Sequence, residues 1–97
     1  MKKCCIEQRV IDDIVRLAEK NGVKKVLLFG SRARGDNSER SDIDLAVSGG
    51  DVMNFSFDVD EEVRTLLMFD VVDLDRPVSG ELLAEIERDG IVLYEKV

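Results

Sequence analysis

The chain has 97 residues, 44% hydrophobic and 36% charged, with 14 Lys and Arg against 21 Asp and Glu for a net charge of −7. A chain this long builds one modest core, and this composition belongs to a folded chain rather than a disordered one. The acidic balance excludes a surface that by itself neutralises a nucleic-acid backbone, and the missing histidine excludes Ser-His-Asp and Cys-His catalysis and His-bound metals.

No run approaches the ~20 apolar residues of a membrane-spanning helix. "MKKCCIEQRV" opens with basic residues but has no apolar segment of the kind a signal peptide needs. The expectation is a single cytoplasmic domain over residues 1–97, with no membrane and no direct nucleic-acid contact. Cys4 and Cys5 are adjacent, which rarely suits a disulfide, and no further cysteine or histidine completes a zinc site. They read as reduced bystanders.

Taken in chain order, residues 5–21 read as a helix, because Val10, Ile14, Leu17 and Ala18 recur at helical spacing. Gly22 stands where a helix-ending glycine belongs. Lys25 to Phe29 reads as a short buried strand broken by Gly30-Ser31, with a helical turn through Arg34. "RGDNSERS" is loop, and "DIDLAVS" is a second strand ended by Gly49-Gly50. In "DVMNFSFDVDEEVRTLLMF" the second half reads as helix, with Val59, Val63, Leu66 and Leu67 on one side; Phe55 and Phe57 ahead of it read as core residues in preference to the alternative, an exposed patch. "FDVVDLD" reads as a third strand, ended by Pro77. Ser79 caps a helix from about Gly80 to Asp89 with Leu82, Leu83 and Ile86 inward, and "GIVLYEKV" closes as a strand. Helices interleaved with short apolar strands imply an α/β or α+β two-layer domain.

The chemistry concentrates between Leu28 and Val47. Strand side chains alternate, so Asp42 and Asp44 share a face while Ile43 and Leu45 take the other. Two carboxylates on one face of a largely buried strand repel each other, and each is costly to desolvate. No Lys or Arg within the strand offsets them; a divalent cation with hard oxygen ligands would. An isolated D-x-D is common by chance, and its bland reading is a strand-end cap beside a solvated Asp. The Gly30-Ser31 turn alters that weighting. Gly30 lets backbone approach a ligand closely, and a helix starting at Ser31 directs free N–H groups outward, which suits phosphate. Arg32 and Arg34 add nearby cations.

Gly30-Ser31, ten residues, then Asp42-Ile43-Asp44 is a G-S-x10-D-x-D pattern, and it resembles the signature of the DNA polymerase beta-like nucleotidyltransferase superfamily. The fuller string "GSRARGDNSERSDIDL" resembles the minimal, MntA-like nucleotidyltransferases. The likeness extends to the preceding helix, "VLLFGS", "FDVVDL" and "GIVLY", and so spans nearly the whole chain. It implies the nucleotidyltransferase fold, a small mixed sheet of three or four strands packed against about four helices.

The resemblance also implies roles. Asp42 and Asp44 would ligate two Mg²⁺ ions, with Mn²⁺ as an alternative. The third carboxylate would be Asp70 of "MFDVVDLD", which ligates the ion nearest the attacking hydroxyl and helps deprotonate it. Asp73 and Asp75 are near competitors; Asp73 lies on the opposite strand face. Gly30 and Ser31 would hold the terminal phosphates of ATP, with Arg32 or Arg34 either neutralising them or remaining solvated loop cations. The reaction would be in-line attack of a hydroxyl on the α-phosphate with departure of pyrophosphate.

Larger relatives such as the aminoglycoside nucleotidyltransferases carry a separate helical domain that shapes the acceptor site. The minimal group pairs instead with a separately encoded helical protein of HEPN or nucleotidyltransferase-substrate-binding type, expected from a neighbouring gene and giving a hetero-oligomer. The implied function is antitoxin of a type VII-like toxin-antitoxin pair, transferring AMP from ATP to a tyrosine of a HEPN ribonuclease toxin. An acidic surface suits such a basic partner. Two rivals stand beside it: a non-catalytic antitoxin or regulatory subunit that blocks its partner by contact, and a split nucleotidyltransferase acting on a small molecule.

Overall fold

The computed structural model describes residues 6–96, so Cys4 and Cys5 lie outside the described residues. Helix α1 (Gln8–Lys20) leads to strand β1 (Lys25–Phe29), the single turn α2 (Ser31–Arg34) and strand β2 (Ile43–Ser48). Helix α3 (Val52–Glu62), strand β3 (Phe69–Asp73), helix α4 (Gly80–Asp89) and strand β4 (Ile91–Glu95) follow.

The strands form one sheet in the order β3-β2-β1-β4. β1 runs antiparallel to β2 and β4, with a bulge between Val26 and Leu27, whereas β2 and β3 are parallel. The connections dictate this. Parallel neighbours require a long crossover, and α3 supplies it between β2 and β3; the α2 turn and its loop return the chain antiparallel beside β1. The sheet is therefore mixed and the architecture α+β.

Strand alternation divides the apolar residues between two clusters. On one face Val26, Leu28, Ile43, Leu45 and Val47 pack against Val10, Ile14, Leu17 and Ala18 of α1 and Val52, Phe55 and Val59 of α3. On the other, Phe29, Ala46, Leu27 and Val72 meet Ile86 and Leu82 of α4. Full burial of such side chains contributes about 1.5–3 kcal/mol each. Two buried carboxylates join the helical layer. Asp13 accepts from the backbone N–H of Arg64 at 3.1 Å and from its guanidinium at 3.1 and 3.2 Å. Asp58 accepts from Asn21 at 3.0 Å and pairs with Lys20 at 3.2 Å.

Several elements sit elsewhere than the sequence pattern predicts. The helix expected in the second half of residues 51–69 occupies the first half. The Asp51 side chain accepts the Asn54 N–H at 3.0 Å and so starts α3 early. The Asp13 contacts then draw the chain out of the helix at Arg64. Val63 ends the helix, and Leu66 is fully exposed. Phe55 is core as expected, but Phe57 is 62% exposed, because two residues on it turns away from the Phe55–Val59 stripe. Leu83, expected inward, is partly exposed for the same reason. Helix α1 starts at Gln8 rather than Cys5, and β4 covers Ile91–Glu95.

Candidate active site

The site grows from the exit of β1. Phe29 leads into Gly30, a buried residue at φ 76° and ψ −160°, a backbone region that L side chains avoid. A side chain here would also have no room, since a Cβ on Gly30 would press into the Asp44 carboxylate, 3.1 Å from its Cγ and 3.3 Å from its Cβ. Gly30 thus lays bare backbone directly against an acid. Its carbonyl accepts the Ala33 and Arg34 N–H groups at 3.1 Å, which opens α2 at Ser31. Gly35, at φ 86°, closes the turn by donating to the Ser31 carbonyl at 2.8 Å.

Register then aligns the acids. Phe29 pairs with Asp44 across the antiparallel ladder, and Asp44 pairs with Asp70 across the parallel one. Asp44 and Asp70 are direct neighbours on the face that carries α4. Asp42 lies just before β2, exposed, two residues from Asp44. Burial first, then the negative charges of Asp70, Asp42 and Glu85, together push the Asp44 carboxyl up to about 6 against the opposing pull of the Arg34 charge.

The two arginines diverge. Arg32 is buried and turns inward: its Nε donates to the Ser41 carbonyl at 2.9 Å and its Nη2 to the Glu39 carbonyl at 3.1 Å. It ties the loop before Asp42 onto α2. Arg34 is part-exposed and bridges α2 to α4, 3.4 Å from Asp89 and 3.8 Å from Glu85, with Asp36 at 3.1 Å. Asp73 and Asp75 serve the turn after β3. Asp73 accepts the Asp75 N–H at 2.9 Å and pairs with Arg76 at 3.4 Å, while Asp75 accepts the Gly49 N–H at 2.8 Å. Glu85 escapes the motif reading altogether. The signal for it is its place three residues after Leu82 and beside Ile86, on the margin of the inward stripe of α4.

The donor set suits a hard divalent cation. A half-buried carboxylate flanked by two others carries negative charge that nothing else nearby offsets fully. Among the described residues no three acidic, cysteine or histidine side chains close into a metal cage. No helix among the described residues is long and apolar enough to cross a membrane.

Known proteins share this arrangement of elements. A protein of Methanocaldococcus jannaschii named "Putative protein adenylyltransferase" is 36% identical over 100 residues, a match covering 91% of this chain and 98% of that one. Among solved structures, a toxin-antitoxin with AMP-PNP superposes with a TM-score of 0.71 at 24% identity, covering 89% of this chain and 73% of that one. A mutant of the toxin-antitoxin MntA-HpeT superposes with a TM-score of 0.68 at 25% identity, covering 88% and 72%. The family described as polymerase beta, nucleotidyltransferase, matches residues 12–97. That span holds every strand and helix but the first turn of α1, and the chain belongs to the polymerase beta-type nucleotidyltransferases.

Proposed function

We propose that this chain is a metal-dependent adenylyltransferase that moves AMP from ATP to a tyrosine hydroxyl of a HEPN-type toxin encoded nearby, and so acts as the antitoxin of a type VII-like pair. The observation that carries the reading is the row Phe29–Asp44–Asp70, with Asp42 beside it and the bare Gly30 backbone against it. The M. jannaschii relative's name supports a protein acceptor. The MntA-HpeT likeness supports a toxin partner, and a neighbour of the same fold was solved with AMP-PNP.

In this reading Gly30 and Ser31 hold the terminal phosphates, with Gly30 contributing space and Ser31 its hydroxyl. Arg34 is the cation toward the triphosphate, because it faces the α4 side of the sheet. Arg32 holds the loop that sets Asp42 instead. Asp42 and Asp44 would bind magnesium, with Asp70 completing the set. Magnesium, when bound, offsets the triphosphate charge and favours an ionised acceptor hydroxyl. Asp70, exposed at the outer end of the row, receives the acceptor proton. Glu85 keeps Arg34 oriented.

The test is to incubate the protein and the neighbouring helical protein with Mg²⁺ and ATP, then weigh the partner intact. We expect a gain of one or more AMP units, lost in Asp42→Ala and Asp44→Ala. A complex that neutralises the partner without any mass gain overturns the reading in favour of inhibition by contact. Modification of an added small molecule instead would identify a split enzyme.

A further inference from the structure

β3 is an edge strand, with no strand beyond it among the described residues. Its hydrogen-bond phase is fixed at both ends: the Ile43 N–H donates to the Met68 carbonyl at 2.9 Å, and the Leu74 N–H donates to the Val47 carbonyl at 2.8 Å. Alternation then turns the backbone of Asp70 and Val72 toward β2 and that of Phe69, Val71 and Asp73 outward; the Asp73 carbonyl is taken by the Arg76 N–H at 3.3 Å, which leaves the Phe69 and Val71 groups and the Asp73 N–H as the outward row. An open row of donors and acceptors of this kind is a template for another strand.

Beside the row runs a groove of about 310 Å³ between α3 and β3, lined by Val52, Met53, Ser56, Val71, Asp73 and Arg76. Met53 is 75% exposed on its rim, and Phe57, one helical turn on, extends the apolar strip. The fold uses neither side chain. An edge strand facing a helix across a groove is the geometry in which extended peptides bind by strand addition. Main-chain bonds supply affinity, and alternate side chains supply choice.

We propose that this groove docks an extended, basic segment of the acceptor protein, with the residue to be modified opposite Asp70 and apolar residues on either side of it. The inference rests on the reading that the acceptor is a protein hydroxyl. A side chain paired directly with Asp70 has its Cβ about 4.5–5.5 Å away on the same face, which is the carboxylate face. Its two neighbours point to the other face, toward Val71 and Met53. Three residues along, a side chain meets Asp73. The adjoining pocket, which shares Val52, Met53, Asp73 and Arg76 with the groove, adds Asp51 and Asp75, on a chain of net charge −7. This charge favours a basic occupant and disfavours a second copy of the chain, whose acidic edge would face the first.

The probe is the labelled peptide Lys-Lys-Val-Tyr-Val-Lys-Lys, followed by fluorescence anisotropy and by amide hydrogen exchange. We expect saturable binding, weakened about tenfold by Met53→Asp, and slowed exchange at the Val71 and Asp73 amides when peptide is bound. Met53 is exposed, so that variant keeps its fold. Binding indifferent to Met53→Asp, unchanged exchange at both amides, or no binding at all would overturn the proposal. So would protection of these amides without peptide in a dimer detected by light scattering, since a second copy would then hold the edge. The two readings fail separately. Edge binding with no AMP on the tyrosine supports the docking and counts against transfer. Equal AMP transfer to the natural partner by wild type and Met53→Asp overturns the docking and leaves transfer standing.

Discussion

Gly30 and Asp44 constrain each other. Gly30 at φ 76° abuts a carboxylate, so Gly30→Ala meets both backbone strain and a clash. Strain of this kind costs about 1–3 kcal/mol, and we expect urea unfolding to register that loss while AMP transfer falls at least tenfold. Normal activity in Gly30→Ala would mean that the Asp44 position is not used. Asp44 itself makes a sharper prediction. Its folded carboxyl is pushed up to about 6 from 3.8, so the folded state keeps a proton that the unfolded chain releases. Stability therefore falls as pH rises from about 4 to 6 on account of this group. Asp44→Asn should be more stable than wild type at pH 7, with the difference shrinking as pH falls from about 6 to 4, and it should be inactive. Denaturation across that pH range checks it; a variant less stable at pH 7 contradicts it. Added Mg²⁺ should raise the melting temperature of wild type more than that of Asp44→Asn, since a ligand of the folded state stabilises by mass action.

Local signals placed some elements well. The apolar run of β1, the Gly30-Ser31 break and the Ser79 cap of α4 lie where the residues alone put them, because each is set by contacts a few positions apart. Helix α3 was not legible in the same way. Val59, Val63, Leu66 and Leu67 have helical spacing, and what overrides it is the Asp51 cap and a contact 51 residues away between Asp13 and Arg64. No window of sequence contains that contact. The site divides along the same line. The Asp42–Asp44 pair and the Gly30 turn are visible as spacing, whereas the pairing of Asp44 with Asp70 is a register fact, and the different tasks of Arg32 and Arg34 depend on which carbonyls and carboxylates the fold brings near. The Asp13 contact yields its own test. Hydrogen bonds from Arg64 hold the Asp13 carboxyl below its ordinary value. Their stabilisation is present above about pH 4 and lost as pH falls through the lowered value. Asp13→Ala should cost about 1–3 kcal/mol at pH 7 and almost nothing in strong acid, measured by chemical denaturation.

At the scale of the molecule, the sheet carries two apolar clusters of unequal size, and the proposed chemistry lies on the smaller side, where Asp44 and Asp70 are paired on the face that carries α4. The larger cluster under α1 and α3 supplies most of the stability. Substitutions such as Phe55→Ala, costing about 3–5 kcal/mol, should therefore unfold the chain without first altering the acids. The open edge of β3 has one more consequence, for solubility in a crowded cell. Exposed strand edges with apolar neighbours seed insoluble assemblies unless a charge interrupts them. Asp70 is the second residue of that edge strand, between Phe69 and Val71. The same carboxylate assigned to the acceptor's proton is thus also the gatekeeper of the strand, and a variant that trades it for an apolar residue would lose its activity and precipitate as well.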